Sequence, residues 1–84
     1  MAQFTLYSRS YCHLCDDMLH QLRNFLSDDS ALIDVIDIDA DDALVLRFDE
    51  LVPVLFGQKN GQDALQICHY FLDVDKLKDF LNAQ

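Results

Sequence analysis

A strand, a helix and a second strand follow one another within the first 39 residues, and this order constrains the fold more than any other feature. Residues 3–8 (QFTLYS) are rich in residues that favour strands. From Cys12 to about Ser27, apolar residues recur every three or four positions, which predicts an amphipathic helix. Residues 31–39 (ALIDVIDID) are rich in β-branched residues and predict another strand. Because a helix joins the two strands, we expect them to lie parallel in one sheet.

The remainder of the chain predicts a short helix, two strands joined by a turn, and a last helix. These elements lie at residues 39–48, 53–56 and 64–68 and from residue 73 onward. Asp39 is the expected N-cap of the short helix, Asp73 begins the cap of the last helix, and Gly61 lies in the expected hairpin turn. Asp34 suits a strand at the sheet edge, where a charge discourages pairing with another chain. The predicted fold class is α/β, a βαβαββα domain over residues 1–84 with a four-stranded mixed sheet flanked by helices.

The charge of the chain excludes two classes of partner. Fifteen acidic residues against six basic ones give a net charge of −9, and the basic residues are scattered. No basic patch is present that could follow a phosphate backbone or an anionic membrane surface. We therefore expect no nucleic acid and no membrane as partner, and a soluble monomer.

The N-terminal residues and the lack of a long apolar run indicate the cellular compartment. MAQFTLYS has neither the basic region nor the long apolar region of a signal peptide. No apolar run approaches the roughly 18 residues of a membrane span. We expect a cytoplasmic protein whose three cysteines are kept reduced at rest.

Cys12 and Cys15 stand three positions apart at the junction of the first predicted strand and the first predicted helix. The thiolate is the reactive form of a cysteine, and a helix N-terminus favours it through free N–H groups and the positive end of the helix dipole. Cys15 lies one turn after Cys12, close enough to attack a mixed disulfide formed there. The spacing therefore indicates a redox pair in which Cys12 attacks and Cys15 resolves.

Charged neighbours act on Cys12 in opposite directions. Arg9 adds positive charge three residues before it, whereas Asp16 and Asp17 disfavour a nearby thiolate. His13 either tunes the pair when it is protonated or is a solvated loop residue. We expect a moderately lowered pKa for Cys12.

A metal site and an inert, partly buried pair are the alternatives for these cysteines. A structural zinc site needs four ligands, and the sequence has no second CxxC and no HxxxH. Cys68 and His69 are adjacent, so in a strand they would point to opposite faces and only one could join the pair. We expect no metal ligands here, and Cys68 is expected to be a buried small apolar residue.

Two motifs together with the element order resemble glutaredoxins of the thioredoxin superfamily. These are CHLC at residues 12–15 after a strand and VPV at residues 52–54 before a hairpin. The resemblance covers almost the whole chain and is greatest to short bacterial glutaredoxin-like proteins with a CHLC-type motif. It implies that Pro53 is cis and packs against the cysteine pair, with the Val52 backbone free to pair with a bound peptide or glutathione. It also implies that Arg9 contacts glutathione; Tyr11 borders the motif and completes the expected substrate-binding residues.

Two departures from the glutaredoxin pattern bear on glutathione. Leu51 stands where a Thr usually precedes Val-Pro, and the Gly-Gly-acid stretch that holds the γ-glutamyl end is missing. Gly61-Gln62-Asp63 lies in the hairpin turn and does not reproduce that stretch. We therefore expect weak glutathione binding.

The resulting prediction is a glutaredoxin-like thiol–disulfide oxidoreductase with Cys12 as nucleophile and Cys15 as resolving thiol. Its expected partner is a disulfide-bearing protein or glutathione, with no tightly bound cofactor and with glutathione as a candidate cosubstrate. One alternative is a thioredoxin-fold binding or adaptor domain without turnover. Another is an iron–sulfur carrier that uses Cys12 together with glutathione.

Overall fold

The predicted order of strands and helices is confirmed in the computed structural model, which describes residues 2–26 and 32–82. A 3₁₀ helix, Ile38–Ala40, is added between the second strand and the second helix. The other elements in chain order are β1 (Ala2–Ser8), α1 (His13–Leu26), β2 (Leu32–Asp37), α2 (Asp42–Phe48), β3 (Val54–Lys59), β4 (Leu65–His69) and α3 (Val74–Asn82). The predicted end of the first helix, at about Ser27, lies outside the described residues.

The four strands form one mixed sheet in the order β2-β1-β3-β4. β1 is parallel to β2 and antiparallel to β3, and β3 is antiparallel to β4. Ser8 is level with Asp37, Tyr7 with Val54, and Val54 with His69. The ends of β1, β2 and β4 and the start of β3 therefore share one end of the sheet, which is called the Ser8 end below.

The β2 strand lies at an edge of the sheet, as the charge within it predicted. Asp34 is exposed on this strand, and its carboxylate accepts a hydrogen bond from Gln3 Nε2 at 3.1 Å. An exposed carboxylate on an edge strand opposes edge-to-edge pairing with a second chain.

The larger part of the core lies between the sheet and the helices α1 and α3. Alternate side chains of β1 and β3 enter it, because successive side chains of a strand point to opposite faces. Its buried members are Phe4, Leu6, Met18, Leu22, Leu55, Ile67, Cys68 and Leu77. Gly57 also lies at this face: a Cβ there would come within 2.8 Å of Ile67 Cδ1 and of the Phe80 ring. The Ile67 and Phe80 side chains thus fill the space above Gly57, and a Cβ there would displace their ends.

The opposite face of the sheet is covered by the 3₁₀ helix and α2. Ile38, Phe48 and Val54 are buried there. The Tyr7 ring stacks on Phe48 with centroids 4.6 Å apart and meets Phe56 edge-on at 5.6 Å. The sheet is therefore a central layer that separates two apolar clusters.

The expected capping role of Asp39 is wrong, because the 3₁₀ helix moves the start of α2 forward. The N-cap of α2 is Asp41, whose carboxylate accepts a hydrogen bond from the Ala43 N–H at 2.9 Å. Asp37 caps the 3₁₀ helix by accepting from the Asp39 N–H at 2.9 Å. The extra turn buries Ile38 completely, and burial of an apolar side chain explains why β2 ends at Asp37 rather than at residue 39.

The cap of α3 lies where the sequence predicts it. The Asp73 carboxylate accepts a hydrogen bond from the Lys76 N–H at 3.0 Å. Among the helices within residues 2–26 and 32–82, none has the length and apolarity needed to cross a membrane.

Candidate redox site

The junction between β1 and α1 holds the two cysteines at the Ser8 end of the sheet. Cys12 directly precedes α1 and Cys15 lies in its first turn, with Cα atoms 5.2 Å apart and a disulfide bond between the two sulfurs. Cys15 is 3% exposed, whereas Cys12 is only partly buried. One sulfur is thus accessible from outside and the other lies against the core.

Backbone groups at the start of α1 surround the Cys12 sulfur. The Cys15 N–H donates to Cys12 Sγ at 3.2 Å, and the Asp16 N–H donates to the Cys12 carbonyl at 3.1 Å. The first amides of a helix have no partner within it, so an N–H of this kind is free to point at a sulfur. A sulfur that accepts such a bond is better suited to carry negative charge when the disulfide is opened.

Tyr11 has an unusual backbone at the position before Cys12. Its φ is 59°, in the left-handed region that residues with a side chain rarely adopt, and its side chain is fully exposed. Such a conformation costs about 1–2 kcal/mol for an ordinary residue. This conformation was not predicted, because glycine or asparagine is the usual residue at such a backbone position.

Pro53 lies at the same end of the sheet as the cysteines. It precedes Val54, which is paired with Tyr7, so Pro53 is level with Ser8 at the end of β1. The Val52–Pro53 bond is cis, as predicted, and Pro53 is buried. Val52 is half-buried and precedes the first residue of β3, so its peptide groups lie outside the ladder of the sheet.

The residues that follow β4 lie next to Pro53. The Tyr70 N–H donates to the Pro53 carbonyl at 2.9 Å, and Tyr70, like Tyr11, has a left-handed φ, at 65°. Phe71 follows with its side chain mostly exposed. These aromatic residues next to Pro53 were not predicted, because their place follows from the pairing of β3 with β4.

Arg9 lies at this end too, and two carboxylates hold its guanidinium. Nε and Nη2 donate to the two carboxylate oxygens of Asp39 at 3.2 and 2.7 Å. Nη1 donates to Asp49 Oδ1 at 2.7 Å and to the Asp49 carbonyl at 3.2 Å. The hydrogen bonds from Arg9 lower the pKa of Asp39 below its usual range, and the same bonds raise the pKa of Arg9. Asp39 and Asp49 were not predicted as partners of Arg9.

Cys68 is the third cysteine and is separate from the pair. It lies buried in β4 and forms no disulfide, as expected for a small apolar residue. Burial raises the pKa of its thiol, while a backbone hydrogen bond from Asp73 acts in the opposite direction. Across the part of the chain that the structure describes, no three His, Cys, Asp or Glu side chains are grouped to hold a metal ion.

The sequence of this chain matches the model of a known protein family. The model of the Glutaredoxin-like domain (DUF836) matches residues 3–82. The chain belongs to this glutaredoxin-like family. The resemblance inferred from the CHLC and VPV motifs is thereby confirmed, and no curated protein matches the chain.

Solved structures show the same fold over nearly the whole glutaredoxin-like chain. Protein Ne2328 from Nitrosomonas europaea is 34% identical, with a TM-score of 0.78 over 94% of this chain and 89% of that one. Target protein XcR50 from X. campestris is 28% identical, with a TM-score of 0.65 over 96% and 97% of the two chains. Chloroplastic thioredoxin z, at 16% identity, covers 96% of this chain and 75% of its own with a TM-score of 0.70, which shows the thioredoxin-like fold alone.

Proposed function

We propose that this glutaredoxin-like protein is a thiol–disulfide oxidoreductase in which Cys12 is the nucleophile and Cys15 the resolving thiol. The observation that carries the proposal is the Cys12–Cys15 bond at the start of α1, with one sulfur accessible and the other buried. A pair held within one helical turn can change between disulfide and dithiol without a rearrangement of the fold.

The reaction starts from the reduced pair. The Cys12 thiolate attacks one sulfur of a substrate disulfide, whose S–S bond breaks, and one half of the substrate leaves as a thiolate that takes up a proton. Cys15 then loses its proton and attacks the Cys12 sulfur, which breaks the mixed disulfide and releases the other half. Two electrons pass to the substrate, and an external dithiol must reduce the Cys12–Cys15 disulfide for the next cycle.

The different surroundings of the two sulfurs support this assignment of roles. An incoming disulfide reaches Cys12 more easily, because Cys15 is 3% exposed. The Cys15 N–H that points at Cys12 Sγ stabilises negative charge on that sulfur. The buried Cys15 is protected from external disulfides but lies one turn from Cys12, so it meets a mixed disulfide at high effective concentration.

Residues around the pair suit a polypeptide substrate. Val52 lies before the first paired residue of β3, and peptide groups outside the sheet are free to pair with an extended segment, which supports a polypeptide substrate. The exposed Tyr11 ring, next to Cys12 in the chain, offers apolar contact to such a substrate. We propose the cytoplasm as the compartment, since recycling of the pair requires a reducing environment.

A turnover assay with cysteine variants tests the proposal. Protein is reduced with dithiothreitol and supplied with a peptide disulfide, and product thiols are followed with time. We expect Cys12→Ser to abolish turnover and Cys15→Ser to accumulate a mixed disulfide at Cys12. Cys68→Ala is the control and should retain turnover, because Cys68 is buried and takes no part in the Cys12–Cys15 bond. Turnover by Cys12→Ser equal to that of the unchanged protein would contradict the proposal.

A further inference from the structure

The Arg9 guanidinium is occupied on every nitrogen by this chain's own oxygens. Asp39 takes Nε and Nη2 through both carboxylate oxygens, and Asp49 takes Nη1 through a carboxylate oxygen and its carbonyl. The ion pairs measure 2.7 Å each. Paired hydrogen bonds to both oxygens of one carboxylate are the preferred geometry of an arginine–carboxylate contact. A substrate anion would have to displace at least one of these carboxylates to reach Arg9.

These contacts tie the loop between β1 and α1, residues 9–12, to two parts of the chain that are distant in sequence. Asp39 lies 30 residues and Asp49 lies 40 residues from Arg9. Arg9 itself is three residues from Cys12, a separation of at most about 11 Å between Cα atoms. The Arg9 contacts therefore fix the entry to the loop that carries the nucleophile.

Arg9, Asp39 and Asp49 together determine the local charge near Cys12. One guanidinium and two carboxylates sum to −1, so the positive charge expected beside Cys12 is more than neutralised. The first turns of α1 add the exposed Asp16 and Asp17. An anionic disulfide that approaches Cys12 therefore meets net negative charge, and like charges repel each other.

We infer that Asp39 and Asp49 determine specificity through Arg9: by holding its guanidinium they make the dithiol discriminate against anionic disulfides such as glutathione disulfide, in favour of neutral or cationic polypeptide disulfides. The inference rests on the proposed oxidoreductase function. The chemical step is the attack described above, in which Cys12 forms a bond to one substrate sulfur and the other half leaves and is protonated.

Two probes with the same reactive disulfide and different charge test the discrimination. Glutathione disulfide and the disulfide of glutathione monoethyl ester share one reactive S–S bond, but the ester lacks one carboxylate on each half. The second-order rate constant of mixed-disulfide formation at Cys12 is measured by mass spectrometry in the reduced Cys15→Ser protein. We expect the ester to react faster than glutathione disulfide.

The double substitution Asp39→Asn and Asp49→Asn releases the charge of Arg9. The ratio of the two rate constants should then shift about two- to fivefold towards glutathione disulfide, the effect of one exposed ion pair. Adding Arg9→Gln to the double variant should abolish the shift, because the released cation is then absent. If the double variant does not fold, Asp49→Asn alone should shift the ratio in the same direction.

A matched control separates this effect from the overall charge. Asp63→Asn with Asp79→Asn changes the net charge equally, but Asp63 lies in the turn between β3 and β4 and Asp79 lies beside Lys59 and Gln62, at the opposite end of the sheet. This control should leave the ratio unchanged. An unchanged ratio in the folded Asp39/Asp49 variants would overturn the inference alone. Failure of every variant to form a mixed disulfide with either probe would overturn the proposed function as well.

Discussion

The amide N–H of Cys15 points at the sulfur of Cys12 from a distance of 3.2 Å. This contact distinguishes the two cysteines, because the sulfur of Cys15 is buried against the core while that of Cys12 accepts a hydrogen bond at the helix N-terminus. The two thiols of the reduced protein should therefore differ in reactivity.

We predict that Cys12 is alkylated before Cys15 and Cys68 when the reduced protein is treated briefly with iodoacetamide at neutral pH. Cys12 is the accessible thiol, whereas Cys68 is buried and burial raises the pKa of its thiol. Mass spectrometry of tryptic peptides gives the order of labelling. Preferential labelling of Cys15 or Cys68 would show that the roles of the cysteines are assigned wrongly.

Gly57→Ala should destabilise the protein. The new Cβ would lie 2.8 Å from Ile67 Cδ1 and the Phe80 ring, so the ends of these two side chains would have to shift. We expect a cost of about 1 kcal/mol in the free energy of unfolding, the low end of the range for overpacking, because side-chain ends move more easily than backbone. Urea denaturation measures the change, and Gln66→Ala on the exposed side of β4 is the control, expected within about 0.5 kcal/mol of the unchanged protein.

Asp41→Ala should cost about 1 kcal/mol of stability, because the carboxylate of Asp41 satisfies the free Ala43 N–H at the start of α2. Asp42→Ala removes the same charge from the next position, where the residue lies within the first turn of α2. The same urea experiment compares both variants. Equal losses for Asp41→Ala and Asp42→Ala would mean that charge near the helix end, and not the cap, stabilises α2.

The features predicted correctly from the sequence are those that local patterns encode. The strand-favouring residues at 3–8 indicated β1, and the position of Asp73 before an apolar helical stripe indicated the cap of α3. The turn at Gly61, with φ of 76°, has the residue that a left-handed backbone favours. Such signals lie within a few residues of one another, so they can be read before the fold is known.

The features that were missed depend on contacts between distant residues. The partners of Arg9 lie 30 and 40 residues away, and no periodicity connects an arginine with carboxylates at such separations. The sequence predicts a helix cap at Asp39, because nothing near Ile38 in the sequence indicates the 3₁₀ helix that moves the start of α2 to Asp42. Burial of Ile38 beside Phe48 and Val54 is a property of the assembled sheet.

The ion pair of Arg9 with Asp39 should contribute to stability in a pH-dependent way. The pKa of Asp39 is lowered in the folded protein by its hydrogen bonds from Arg9, so its contribution is present above its unfolded pKa of about 4 and is lost as the pH falls through the folded value. The difference in unfolding free energy between the unchanged protein and Asp39→Asn should therefore be largest near pH 6 and shrink below pH of about 4.

Urea denaturation at several pH values between about 2.5 and 6 gives this difference directly, because the window brackets the titration of an aspartate. Asp63→Asn, in the turn between β3 and β4, is the control that removes an aspartate outside the Arg9 contacts. A difference for Asp39→Asn that grows on acidification would contradict the sign of the pKa change.

The left-handed backbone at Tyr11 predicts that glycine is better tolerated there than alanine. The Tyr11 ring is fully exposed, so neither substitution loses a buried contact, but only glycine adopts a φ near 59° without strain. The Tyr11→Gly protein should therefore be more stable than the Tyr11→Ala protein, with a free energy of unfolding about 1 kcal/mol higher. Both should lower kcat/KM for a polypeptide disulfide equally, because both lack the ring beside Cys12. Greater stability of the alanine variant would mean that the loop before Cys12 does not hold this conformation in solution.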